Sequence, residues 1–185
     1  MSRNTSTGFL KRLARDRRGV SAVEFDLIAP LIISFYFGMS EVCQGYMAQK
    51  RMAHTASSMA NLVAQTVTVS KDNLDDVMAV GALIMKPFPT SALATRVTSV
   101  TRDANGVARV DWSRATGVGM TAYSPEDIVV VPADMIANGA SLVMAETTYD
   151  YASPVKYVLP KVTKMKSTFY ELPRKVPQVL CTDCP

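Results

Sequence analysis

The run VSAVEFDLIAPLIISFYFGM, Val20 to Met39, constrains this 185-residue chain more than any other feature. As a helix its twenty residues rise about 30 Å, the hydrocarbon thickness of a bilayer. The uninterrupted apolar part, Leu27 to Met39, is shorter. Glu24 and Asp26 must therefore lie near one interface or meet a neutralising partner. Six Lys/Arg and a single Asp occupy residues 1–19, directly before the run. That bias predicts a cytoplasmic N-terminus and puts everything after about Ser40 across the membrane. Residues 20–185 carry 14 basic and 15 acidic groups, so the net charge of +4 belongs to the leader. With no basic stripe interleaved with aromatics on the body, nucleic-acid binding is not expected.

A cleaved secretory signal shares these regions but needs a small-x-small site after the apolar run, where the chain reads SEVCQGYMAQ. A lipoprotein reading of Cys43 fails because SEVC lacks the Leu and small residues expected before a lipidated cysteine. A cut after Gly19 instead makes Val20 the first residue and Glu24 the fifth. RRG followed by VSAVE resembles the processing site of type IV prepilins. The wider stretch RRGVSAVEFDLIAPLI resembles the N-terminal signature of TadE-like proteins, the minor pseudopilins of Tad (Flp) pilus systems. The later blocks VTSVTRDANGVARVDWSRA, ETTYDY and FYELPRKVPQV resemble those of TadE-like domains, in the same order.

The resemblance implies a bacterial inner-membrane protein of single pass, cytoplasmic at its N-terminus and periplasmic beyond the span. A prepilin peptidase would remove residues 1–19 between Gly19 and Val20. The product would act in pilus assembly without catalysis or cofactor, packing through Glu24 and Phe25 on other Tad pilus subunits and inner-membrane assembly proteins. The carboxylate of Glu24 has its own physical logic: in an apolar helix it needs a counter-charge, and a freed amine on Val20 of a neighbour is one. Asp26 departs from the family pattern, where an apolar residue is usual. It points about 200° away from Glu24 around a helix, so one contact cannot serve both. Pro30 removes the N–H that would bond the Asp26 carbonyl, which predicts a kink or loosened turn.

Beyond the span the helical pattern extends to about Thr68 (residues 40–69). Val42, Tyr46, Gln49, Ala53, Ala56, Ala60, Val63 and Val67 form a seam in steps of four and three, flanked by Met52 and Met59. It can pack on the chain's own domain, on neighbours, or on both with its first half facing out. Residues 70–185 read as one α+β domain. A short helix is opened by Ser70 or Asn73, with Asp75 and Asp76 early, and stops before Pro87. A hairpin turns at Asn105-Gly106, Trp112 anchors the core, and ASLVMAETTYDYASP is a further strand. The segment 154–185, with Pro154, Pro160, Pro173 and Pro177, reads as a proline-rich tail of loops and extended edge segments. The expected fold is pilin-like: a long spine helix, a short helix, then a small antiparallel sheet.

Little else carries chemistry. Cys181 and Cys184 form a CxxC that, in an oxidising compartment, suits a structural disulfide better than redox catalysis, which needs a helix N-terminus. Zinc would need two more ligands, and His54 is the chain's one histidine, on the spine helix beside Arg51 and Thr55. GVGM at 117–120 is no phosphate loop, and Asp111, Glu126, Asp127, Asp134 and Glu146 show no dyad spacing. Lys156, Lys161, Lys164, Lys166, Arg174 and Lys175 give the C-terminal part a basic bias, a solvated rim or a contact for anionic headgroups. Two rival readings stay open: an uncleaved inner-membrane scaffold of the pilus machinery, and a membrane-tethered thiol-disulfide protein using Cys181 and Cys184.

Overall fold

The computed structural model describes residues 18–132, 134–154, 156, 158–159 and 161–184; the leader reading for 1–17 lies outside them. One helix, α1, runs unbroken through Pro30 from Arg18 to Ala64, 47 residues. It stops four residues earlier than the pattern to Thr68 suggests. Thr66 turns back on it, its N–H and its hydroxyl both donating to the Val63 carbonyl, and Thr68–Val69 form a two-residue strand, β1.

Helix α2, Lys71–Ile84, starts at Ser70, whose hydroxyl accepts from the Asn73 N–H while the Asn73 side chain accepts from the Ser70 N–H. This reciprocal cap satisfies two donors that a helix start otherwise leaves bare. α2 packs back along α1 at Gly81, where the Thr55 hydroxyl donates to the Gly81 carbonyl at 3.2 Å.

Four strands then build an antiparallel sheet in the order β3-β2-β4-β5: β2 Leu93–Arg102, β3 Ala108–Thr116, β4 Ser141–Tyr151 and β5 Thr163–Glu171. Asn105-Gly106 sits in the β2–β3 connection, with Gly106 at φ +84°. The connection spans 103–107 instead of two residues, because Asp103 holds it: its carboxylate accepts from the N–H groups of Asn105 and Val107. A bulge at Asp111 lets Trp112 face the helices while Val110 faces the other side of the sheet. Trp112 is buried against Met59, Val63 and Val97, and its indole N–H donates to the Val179 carbonyl at 2.8 Å.

The segment 154–185, read as loops and extended edge segments, does hold an extended edge: nine of its residues are the regular strand β5, paired along β4 from Val143↔Glu171 to Tyr151↔Thr163. Its alternation of Thr, Lys, Met and aromatic residues suits a half-covered strand, and the prolines fall outside it. Leu180–Cys181 (β6) then pairs parallel with β1.

Candidate functional site

The predicted cleavage and assembly residues Gly19, Glu24 and Phe25 lie on the part of α1 that the domain leaves bare. Glu24, Phe25 and Asp26 are exposed, as are Leu27, Leu31, Phe35 and Tyr36, and from Ala22 onward Glu41 is the first buried residue of the helix. The most apolar stretch of the helix has none of its residues buried in the protein, and the helix is long and apolar enough to cross a membrane. A core helix of that composition would be covered by its own domain. Gly19 is exposed, with open space where a side chain would stand.

The seam that the spacing suggests is half right. Ala56, Ala60 and Val63 are buried, but Val42, Tyr46 and Val67 are exposed. Lower on α1 the buried stripe is rotated by one residue, through Glu41, Gly45, Ala48, Met52 and Thr55 to Met59. Both stripes step by three and four, so periodicity alone does not choose between them. What chooses is the β4–β5 connection, which crosses α1 at Glu41. The Val158 N–H donates to the Glu41 carboxylate at 2.6 Å, and Val158 and Leu159 pack where side chains on Gly38 and Gly45 would stand. The sequence signal was a glutamate between two glycines seven apart, a face that admits backbone closely.

Because the domain takes the Glu41 stripe, the Val42 side stays open. Glu24 and Val42 are eighteen residues apart, about five whole turns, so they lie on one side of the helix. Leu31 and Phe35 fall on the same side and Tyr46 close to it, all of them more than half exposed. Asp26 lies about 160° away from Glu24. The carboxylate therefore heads an apolar stripe that continues past the span.

Residues 19–61 match the family model of TadE-like proteins. The matched stretch falls wholly within α1, from the residue before Val20 to the helix's last turn. Neither a curated protein nor a solved structure matches the chain. The matched stretch carries the bare span, Glu24 and the first part of the domain's core, while the sheet lies beyond the match.

Elsewhere the polar groups hold structure together. On the sheet face away from α1, an open groove of about 540 Å³ is lined by Arg96, Glu146, Asp150, Lys164 and Lys166 among others. Arg96 is engaged there: it bonds Glu146 at 2.8 Å and lies 3.6 Å over the centroid of the Tyr123 ring. Burial pushes the Tyr123 hydroxyl above its ordinary pKa. Asp111 accepts from the hydroxyls of Ser99 and Thr101. His54 is exposed beside Lys50 and Arg51, in a shallow groove between α1 and the end of α2. Cys181 and Cys184 are disulfide-linked, with Cα atoms 5.6 Å apart, and Cys43 is a free, exposed thiol on α1. The disulfide follows β6 in the chain and lies beside the start of α2, where the Asp183 carboxylate between the two cysteines accepts from the Lys71 N–H.

Proposed function

We propose that the chain is a minor pseudopilin of a Tad/Flp-type pilus, a membrane-stored structural subunit that works by helix packing. The TadE-like match supports a component associated with that pilus. The observation that carries the finer reading is the placement of Glu24 at the head of an open apolar stripe that its own domain does not cover. In this reading a prepilin peptidase cuts the Gly19–Val20 bond from the cytoplasmic side. The new Val20 amine of one subunit then meets the Glu24 carboxylate of another, with Phe25 and the Leu31–Tyr46 side packed between helices.

Desolvation works against such an ion pair and low dielectric works for it, so its main use is to fix stagger. Removing one partner leaves a lone buried charge, which costs about 3–5 kcal/mol and makes the contact selective.

Intact-mass analysis of protein extracted from membranes tests the cut: an N-terminus at Val20 is expected. Gly19→Ala should retain the leader, and Glu24→Ala should be cut normally yet fail to assemble. A native protein that keeps Met1 while pili form normally refutes processing and leaves the uncleaved scaffold. The thiol-disulfide alternative predicts that Cys181→Ser with Cys184→Ser abolishes function while leaving folding unchanged.

A further inference from the structure

The β4–β5 connection lies at an unusual height on the molecule. Its backbone crosses α1 at Glu41, where the Val158 N–H meets the carboxylate. From that crossing Leu159 points toward the domain, packing at Gly45 and against the cluster of Ala48, Met52 and Tyr151. Val158 points the other way, its methyl 3.2 Å from where a side chain on Gly38 would stand. Gly38 is the last residue but one of the apolar run that ends at Met39. The connection therefore reaches down to the final turn of the bare segment, about 10 Å below Gly45 along the helix.

What it presents there is amphipathic. Val158 and Val162 remain 56% and 50% exposed, and Lys156 and Lys161, next to them in the chain, are exposed as well, whereas Lys164 and Lys166 line the groove on the far face of the sheet. Asp150, opposite Lys164 in the β4–β5 register, is exposed. Glu41 is buried under the strap. A half-exposed valine at the level where the span leaves the hydrocarbon, followed in the chain by exposed lysines and a second half-exposed valine, matches the chemistry of an interfacial contact.

We propose that this strap is a lipid-binding surface: Val158 and Val162 dip into the headgroup layer, and Lys156 and Lys161 engage anionic lipid phosphates. The occupant is the membrane itself, because the surface continues the face of the bare segment at its end. The proposal rests on α1 crossing the bilayer.

The test uses the full chain carrying Cys43→Ser, reconstituted in phosphatidylcholine vesicles, with a bimane probe on Val162→Cys and, separately, on Ile33→Cys. Nitroxide near the headgroup of phosphatidylglycerol should quench the 162 probe several-fold more than the same nitroxide on phosphatidylcholine. The expected local enrichment is about fivefold for each lysine engaged. Lys156→Gln with Lys161→Gln, both exposed and remote from the core, should abolish that preference. Quenching of the Ile33 probe by a deep nitroxide with no quenching at 162 overturns the proposal while the span stands. Equal quenching of the 162 probe by the two headgroups also overturns it. An unquenched Ile33 probe overturns the span and the proposal together.

Discussion

Two glycines on the helix pair should respond to alanine in opposite directions. In a helix interior, Gly to Ala gains about 0.8–1 kcal/mol from backbone entropy alone. At Gly81 a methyl would stand 2.9 Å from the Met59 sulfur and 3.0 Å from the Thr55 methyl. Both side chains are fully buried, and Thr55 is held by its hydrogen bond to the Gly81 carbonyl. Overpacking of that kind costs about 1–3 kcal/mol, so it wins, and Gly81→Ala should lose about 1 kcal/mol net. At Gly45 the nearest atom is the Leu159 Cδ1 at 3.1 Å, a flexible tip that can turn aside. Gly45→Ala should keep most of the propensity gain. With about 2–4 °C of Tm per kcal/mol for a chain of this size, the two variants should separate by roughly 3–8 °C. Thermal unfolding followed by far-UV circular dichroism in one detergent reads this directly. Met59→Ala gives an internal check: placed on Gly81→Ala, it should cost less than it does alone, because the cavity takes up the added methyl. A Gly81→Ala protein melting at or above the wild type refutes the close α1–α2 approach.

Trp112→Phe keeps a ring in the core but strips the Val179 carbonyl of its indole donor; the expected loss is about 1–3 kcal/mol, read as a lower urea midpoint with unchanged slope. Reducing the Cys181–Cys184 bridge removes a four-residue loop constraint worth about 2 kcal/mol. It should lower Tm and raise amide exchange at Thr182, which donates to the Val69 carbonyl. The Arg114 guanidinium beside Asp75 holds that carboxyl below its ordinary pKa. The pair's stability is therefore present above pH 4 and fades as pH falls through the lowered value. Both side chains are more than a third exposed, so solvent screening limits the effect to about 0.5 kcal/mol, and Asp75→Asn should flatten that part of an acid titration.

Local signals carried far in this chain. The apolar run, the Ser70 cap, the Asn105-Gly106 turn and the Trp112 anchor each depend on chemistry within a few residues, and each appears where the spacing puts it. Long-range pairing was the harder part. The prolines pointed to loops or extended edge segments without bounding β5, because its nine regular residues lie between Pro160 and Pro173 and alternate Thr, Lys and Met without a continuous apolar face. The buried stripe on α1 was off by one position for a related reason. Nothing local marks Glu41 as a buried position; the Val158 N–H that meets it comes from 117 positions away. The same shift leaves the Val42 and Tyr46 side uncovered, which is the side that Glu24 heads.

The relative sizes of the contacts separate what holds the protein in a membrane from what orients it. Eleven large apolar side chains between Val23 and Met39 are about half or more exposed. At about 1.5 kcal/mol apiece on entering hydrocarbon, they supply on the order of 15 kcal/mol. Two carboxylates at mid-bilayer would take back about 2.5–3.5 kcal/mol each, less near an interface. The strap offers two valines already half covered and two lysines worth about 1 kcal/mol each at an anionic surface, some 3–4 kcal/mol in all. Retention therefore belongs to α1, and losing the strap's contacts should not release the protein from membranes. A few kcal/mol is still ample to choose among rotations of the domain over the surface. Because α1 is unbroken from span to core, a strap that fixes the domain's rotation over the surface would also fix the direction in which the Glu24 stripe faces.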